Sequence, residues 1–495
     1  MECGSFFTGI HFRAGRRGFW HRPEFRFARC GHPGGRKRKM AEQTRFTNFF
    51  LENRQNSARI VLIESRNQTV RKVNRLQRTV QVHERLPLLQ SLPLSLQHLF
   101  AMFGATVLVP ILFGVDPATI LLMNGIGTLF YLWICKGQIP AYLGSSFAFL
   151  SPVLLALKDY PYEAALGGFI AAGGIFTLVA AIVRVAGTKW IDVALPPAAM
   201  GAIVAVIGLE LVPTAAEMAG YIAPQGAADW RPDSETILIS TVTLLTTVIG
   251  MVAFRGFLKI IPILIGIVVG YALAWGMGKV SFKALEEAPF FSVPTFYFPE
   301  WNAQVIGMIA PAALVVIAEH IGHLVVTGNI VGKDLSKEPG LHRSMLGNGL
   351  STIVSGFVGS TPNTTYGENI GVLAITRVYS VYVIAGAALI AIALSFLGDF
   401  AALIASIPTP VMGGVSLLLF GVIAVSGVRM LVDSRVDYTK PTNIILTTVV
   451  LVIGLSGASL NWGYLSLKGM ALATVVAILL SLFFRLLRMI GLIKE

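Results

Sequence analysis

Charged residues are scarce in this sequence. Asp, Glu, Lys and Arg make up 13% of the 495 residues, whereas 54% are hydrophobic and the mean hydropathy is +0.70. Soluble domains carry about 25% charged residues, so this scarcity excludes a string of ordinary soluble domains. The apolar residues form many segments of about 20 residues, a length that crosses a hydrocarbon layer of roughly 30 Å. The sequence therefore predicts an all-α polytopic membrane protein.

Cysteine is scarce too, and a cleavable signal peptide is not evident. Cys3, Cys30 and Cys135 show neither a disulfide pairing pattern nor metal-ligand spacing. No apolar h-region follows the basic N-terminus, so the first crossing segment is expected to act as its own insertion signal. We expect no disulfide framework, no metal and no cofactor.

The net positive charge of the sequence comes entirely from its N-terminal part. Residues 1–85 hold 19 Lys and Arg against 6 Asp and Glu, and the remaining residues hold 20 of each sign. Such a segment can attract RNA or anionic lipid. The positive-inside rule accounts for it more simply, as a disordered cytoplasmic tail without a nucleic-acid partner. Residues 1–39 resemble a transit peptide or upstream read-through, and we favour Met40 as the true start.

Fourteen hydrophobic segments follow the tail. They lie near residues 92–113, 117–135, 142–157, 163–185, 190–212, 235–254, 257–277, 303–328, 342–360, 363–376, 378–397, 402–430, 442–458 and 468–489. With a cytoplasmic N-terminus, the inner connections hold 15 Lys and Arg and the outer connections hold 5. This asymmetry is typical of an even number of spans with both termini in the cytoplasm.

The two halves resemble each other weakly. Leu96–Leu99 corresponds to 318–321, and the short third segment, interrupted at 144–146, corresponds at the same offset to the tenth, interrupted at 366–369. Seven spans per half make the repeats inverted. Inverted repeats that each contain one broken span predict a substrate site near the bilayer midplane, where the breaks meet.

Ionisable groups inside spans are costly and are functional candidates by default. Apart from charges at segment ends, they are His98, Glu319, His320, His323 and Glu368. On a helix, Glu319 and His323 share a face, and His320 points about 100° away. They fit a substrate-binding carboxylate and a proton-coupling histidine, or a polar pair that joins helices. A zinc site is a third alternative, but the residue order differs from His-Glu-x-x-His.

Glu368 lies in the glycine-rich break of the tenth segment. A break leaves backbone groups unpaired, which is tolerated around a cavity or ligand. Helix N-termini would donate N–H groups there, and Glu319 and Glu368 would accept hydrogen bonds. That pattern favours a flat heterocycle with carbonyl and N–H groups over a free anion, although Glu368 could instead cap its helix. Phe147, in the partner break, could stack on such a ring. His98 is interpreted as a helix-packing residue.

Four motifs, at residues 95–104, 144–149, 317–324 and 361–371, resemble the nucleobase–ascorbate (nucleobase:cation symporter-2) family. Its signature, Asn-x-Gly followed after four residues by Thr and a basic residue, is met by Asn369, Gly371, Thr376 and Arg377. The resemblance covers about 86–489, and residues 1–85 have no counterpart in it.

The resemblance implies a core domain (86–187 and 301–398) and a gate domain (188–300 and 399–495), with short antiparallel strands in the third and tenth spans. It also implies proton symport across the inner membrane, contact with membrane lipid, and a homodimer. The implied substrate-binding residues are Phe147, Glu319, Tyr366, Gly367, Glu368 and Asn369. Glu319 and His323 are the implied proton-coupling pair. Purine-transporting relatives usually carry Gln at the position of Glu368, so uracil is expected, with a purine or an anion as the alternative substrate.

Overall fold

The computed structural model describes residues 79–224, 226–227 and 229–493, most of which are helical. The α-helices in this part of the chain are α1 (Leu88–Phe113), α2 (Pro117–Ile134), α3 (Leu150–Ala156), α4 (Tyr162–Ala186), α5 (Lys189–Ala194), α6 (Pro197–Glu210), α7 (Val212–Met218), α8 (Ser234–Ala253), α9 (Pro262–Gly276), α10 (Lys283–Glu287), α11 (Ala303–Ile309), α12 (Ala312–Val331), α13 (Leu341–Val358), α14 (Gly367–Thr376), α15 (Val381–Ser395), α16 (Gly398–Ala405), α17 (Thr409–Asp433), α18 (Pro441–Leu455) and α19 (Gly469–Met489). Short 3₁₀ helices cover Phe147–Phe149 and Gly256–Ile260.

Eight helical stretches among the described residues are long and apolar enough to cross a membrane. They are Leu88–Phe113, Pro117–Ile134, Tyr162–Ala186, Pro197–Met218, Ser234–Ala253, Ala303–Val331, Thr409–Asp433 and Gly469–Met489. Shorter apolar helices cover Phe147–Ala156, Pro262–Gly276, Val381–Ser395 and Pro441–Leu455. The most extensive helix contacts are those of α4 with α13, α6 with α17, α2 with α15 and α8 with α9.

Two pairs of short strands interrupt the helices. Strand β1 (Leu143–Ser145) pairs antiparallel with β2 (Asn363–Thr365), with Gly144 opposite Thr364. Strand β3 (Ser459–Trp462) forms a hairpin with β4 (Leu465–Lys468), which the sequence analysis did not predict. Its signals are the alternation in 459–462 and Gly463, which adopts a positive φ of 59° at the turn.

Proline marks a helix boundary inside two of the predicted hydrophobic segments. The segment predicted at 303–328 contains α11 and α12, separated at Pro311, and that at 402–430 contains α16 and α17, separated at Pro408. Proline lacks an N–H group and disfavours helical conformation in the preceding residue. The segment at 402–430 is therefore corrected to a candidate span over Thr409–Asp433, whereas the segment at 303–328 lies within the single candidate span Ala303–Val331.

The predicted disordered tail extends too far along the chain. The Val80 N–H donates to Arg377 O, the Tyr379 N–H donates to Val80 O, both at 2.9 Å, and Val82 is buried. Residues 80–82 are ordered because alternating valines bury apolar surface against 377–381. The boundary at residue 85 is wrong by several residues. The rest of the predicted tail, with Met40, lies outside the described residues.

Candidate functional site

The paired strands bring the two interrupted segments together. The Tyr366 N–H donates to Tyr142 O at 3.0 Å, and the Ser146 N–H donates to Pro362 O at 2.9 Å. Helix α14 begins at Gly367, directly after β2 and Tyr366. The first N–H groups of a helix have no partner within it and carry its positive dipole end. Strand pairing therefore holds these donors beside the segment that contains Phe147.

A cavity of about 310 Å³ lies at this junction. Its lining includes six of the seven predicted substrate-binding and coupling residues: Phe147, Glu319, His323, Tyr366, Gly367 and Glu368. Helices α9 and α17 complete the wall with apolar side chains such as Ile263 and Leu419. Ligand cavities of roughly this size are usually mostly apolar with a few polar groups. Both predicted acids thus reach one cavity, although they are 49 positions apart in the sequence.

Asn369 is the predicted site residue that does not line this cavity. It is 1% exposed, and its Nδ2 donates to His98 O at 3.2 Å and lies 3.2 Å from His98 Nδ1. Asn369 therefore joins α14 to α1. His98 is a helix-packing residue, as the sequence analysis interpreted it.

Glu319 and Glu368 line the same cavity. Oε2 of Glu319 is buried and has no hydrogen-bond partner within the described residues. A buried acceptor without a partner costs about 1–3 kcal/mol, and two buried carboxylates repel each other. A proton, or a ligand with N–H groups, would relieve both effects.

His323 and His320 point to different surroundings, as their helical spacing predicts. His323 lines the cavity, and a Cβ added to Gly367 would lie 3.4 Å from its Nε2. Its Nδ1 lies 3.1 Å from Thr365 Oγ1. His320 lies inside the helix packing, with its Nε2 2.8 Å from Ser344 Oγ. Only His323 of this pair is therefore available to a ligand in the cavity.

Aromatic rings form one side of the cavity. The rings of Phe147 and Tyr366 are nearly parallel, at 15° with centroids 6.5 Å apart, and Phe420 meets Phe147 edge-on at 5.9 Å. Gly144 packs directly beneath the Tyr366 ring, where an added Cβ would collide with Cε2 and Cζ. The missing side chain at Gly144 therefore leaves the space that the Tyr366 ring occupies.

The sequence analysis did not predict several residues that line the cavity. Thr364, Thr365 and Ser426 are common residue types in spans, and Lys259 and Arg429 were set aside as charges at segment ends. Their position depends on which helices meet, so no local pattern identifies them. Within residues 79–224, 226–227 and 229–493, no cluster of three or more His, Cys, Asp or Glu could hold a metal ion.

Residues 89–463 match the permease family designated Xan_ur_permease. The chain belongs to this family. It is an integral membrane transporter rather than an enzyme, and the family resemblance stated from its motifs is confirmed. Over 410 residues it is 66% identical to a uracil permease of Paenibacillus larvae, covering 83% of this chain and 97% of that protein.

A second relative supports the same family, and one solved structure supports the fold. A uracil permease of Escherichia coli K12 is 65% identical over 410 residues, covering 83% of this chain and 95% of that protein. The transmembrane domain of the cyanobacterial bicarbonate transporter BicA superimposes with a TM-score of 0.54 at 16% identity. That superposition covers 82% of this chain and all of that domain, and at this identity it shows the fold alone.

Proposed function

We propose that this permease imports uracil together with a proton across the cell inner membrane. The proposal depends on one observation above all: Glu319 and Glu368 line the same cavity as the Phe147 ring and the first residues of α14. The names of the two similar permeases support uracil as the substrate. The proton is the proposed coupling ion, with no cofactor.

The polar groups of the cavity match the edge of a pyrimidine. Uracil alternates carbonyl acceptors with N–H donors around a flat ring. Carboxylates of Glu319 and Glu368 accept from its N–H groups, and backbone N–H groups at Gly367 and Glu368 donate to a carbonyl. The Phe147 ring stacks on the base, a contact worth roughly 1–3 kcal/mol in nucleic-acid sites. Glu319 and Glu368 would repel a free anion whereas Lys259 and Arg429 would attract one, so the two similar uracil permeases, rather than the charge of the cavity, argue against anion transport.

Because uracil is neutral, its accumulation needs a coupling ion, and we propose that this ion is the proton. A neutral solute accumulates only if its transport is coupled to an ion that moves down its own gradient. Glu319 and His323 lie on consecutive turns of α12 and both line the cavity, so a proton bound between them contacts the substrate site directly. Imidazole can accept a proton at one ring nitrogen and release one from the other, which suits this role.

Alternating access requires two bodies that move against each other. The proposed core comprises 86–187 and 301–398, and the proposed gate comprises 188–300 and 399–495, as fourteen spans in two inverted repeats. The most extensive helix contacts, α4 on α13 and α6 on α17, each fall within one proposed body and support this division. The cavity has Glu319 and Glu368 on the core side and Leu419 on the gate side, so relative movement would change its access. We further propose cytoplasmic termini and a homodimer.

Uptake of radiolabelled uracil into proteoliposomes with an imposed proton gradient tests the proposal. Glu319→Gln and Glu368→Gln should each weaken apparent affinity by roughly 10–100-fold, because losing a buried acceptor costs about 1–3 kcal/mol. Exposed Glu287 offers a matched control, and Glu287→Gln should behave like the wild type. Unchanged affinity and proton dependence in both cavity variants would reject the assignment.

Competition with labelled uracil uptake distinguishes uracil from the alternative substrates. Unlabelled uracil should suppress uptake, whereas xanthine, urate and bicarbonate should not at equal concentration. A protonophore should abolish accumulation. Competition by a purine as strong as that by uracil would assign the site to purines instead.

A further inference from the structure

A chain of hydrogen-bonding side chains leads away from the cavity through the helix packing. It starts at His323 Nδ1, which lies 3.1 Å from Thr365 Oγ1, and Thr365 Oγ1 lies 3.5 Å from His320 Nδ1. His320 Nε2 lies 2.8 Å from Ser344 Oγ, which lies 2.6 Å from the Tyr131 hydroxyl. Thr365, His320, Ser344 and Tyr131 are each at most 3% exposed.

The chain ends near the surface at the far end of α2. One turn further along α2, the Cys135 N–H donates to Tyr131 O at 2.9 Å, and Cys135 directly precedes the exposed Lys136. Arg343 lies at the same end, where its Nη1 donates to Ile134 O at 3.2 Å. The charged groups of the cavity at one end of the chain are Glu319, Glu368, Lys259 and Arg429, and Cys135 and Arg343 lie at the other end.

The successive hydrogen bonds of this chain must all run in the same donor-to-acceptor direction. A hydroxyl has one proton, so Thr365 can donate to only one histidine and must accept from the other. If His323 carries a proton on Nδ1, it donates to Thr365, Thr365 donates to His320, and His320 donates through Nε2 to Ser344. If Nδ1 of His323 is bare, every one of these hydrogen bonds reverses. Two arrangements therefore satisfy every group.

Passing one proton along the chain converts the first arrangement into the second. The Nδ1 proton of His323 moves to Thr365 as the hydroxyl proton moves to His320 Nδ1. The Nε2 proton of His320 moves to Ser344, and the hydroxyl proton of Ser344 moves to Tyr131, whose own proton is taken up by solvent water that reaches the Lys136 end of α2. One proton has left His323 and one has left the chain, so charge and atoms balance. A second passage requires the groups to turn back, which limits a leak.

We infer that His320, Thr365, Ser344 and Tyr131 form the exit path by which the coupling proton leaves His323 for the cytoplasmic end of α2. This inference rests on the proposed proton coupling. The proton enters at Nε2 of His323, which faces the start of α14 beside the cavity, and leaves without crossing the substrate. The Thr365–His320 link, at 3.5 Å, is the longest step and must shorten for transfer.

Net proton-driven uptake and uracil counterflow distinguish this path from a packing role. Counterflow exchanges labelled for unlabelled uracil and needs no net proton release. Tyr131→Phe and Ser344→Ala should lower net uptake at least about tenfold, as loss of a proton-transfer group does, and leave counterflow within about twofold. Ser344→Thr, which keeps a hydroxyl, should restore net uptake. Tyr162→Phe is the matched control, because Tyr162 is another buried tyrosine, whose hydroxyl donates to Gly359 O instead.

Three outcomes would overturn the inference. Net uptake in Tyr131→Phe and Ser344→Ala that equals the wild type would show that the proton leaves through the cavity. An equal fall in counterflow would assign these residues to packing. Wild-type uptake without proton movement would reject the proposed coupling itself, and this path with it.

Discussion

A single methyl group at Gly144 tests the arrangement of the paired strands. The Cβ of Gly144→Ala would collide with the ring of Tyr366, which is 3% exposed and directly precedes α14. Tyr366 also lines the cavity, so a shift of its ring would change the shape of the substrate site. Overpacking of this kind costs about 1–3 kcal/mol. If that cost falls on the substrate-bound state, uracil affinity should drop by roughly 5–100-fold.

Gly174 provides the matched control for this substitution. It lies within α4, and an added Cβ there would meet nothing within 4 Å. Gly174→Ala should keep wild-type uptake and gain up to about 1 kcal/mol of helix stability. The assay combines uracil binding to purified protein with its melting temperature in detergent.

A double substitution isolates the predicted collision. Tyr366→Ala removes the ring, so adding Gly144→Ala to it should cost little further melting temperature, whereas Gly144→Ala alone should lower it. Wild-type binding and melting in Gly144→Ala would refute the reasoning. The reasoning would also be refuted if Gly144→Ala lowered the melting temperature equally in the wild type and in the Tyr366→Ala variant.

Three further predictions concern single side chains. Asn369→Ala should lower the melting temperature, because it removes buried hydrogen bonds to His98 worth about 1–3 kcal/mol. Uracil affinity should stay within a few-fold of the wild type. A large loss of affinity would show that Asn369 belongs to the binding site. Phe147→Ala should weaken uracil binding roughly 10–100-fold through lost stacking, and unchanged binding by calorimetry would contradict that role. Hydrogen bonds from Thr439 hold the pKa of Asp437, in the exposed turn after α17, below its ordinary value. The turn should therefore lose stability as the pH falls through this lowered pKa, and Asp437→Asn should flatten that part of a melting profile; an unchanged profile would contradict it.

The candidate site was predicted from local patterns where the chemistry is unusual for a membrane span. Glu319 and Glu368 stand out because charge within an apolar segment is costly. Spacing on one helix was enough to separate the surroundings of His323 from those of His320. The glycine-rich stretch at Gly367 indicated an interrupted helix, and α14 begins there.

Other features depend on contacts between distant segments and could not be predicted. Asn369 is next to Glu368, yet it turns to His98 because α1 packs against that side of α14. Ser344 and Tyr131 are ordinary residues in their own helices, and only packing of α13 against α2 makes them partners of His320.

By itself, the sequence determined that the chain enters a membrane, because apolar length and scarce charge leave no soluble alternative. It also determined its family and the ionisable side chains that must avoid lipid, since each unpaired charge there carries its own energetic cost. Tertiary structure alone decided which of these side chains share a cavity. That outcome depends on the register of β1 against β2 and on the helices that pack around them, and these are sums of many weak contacts between residues far apart in the chain.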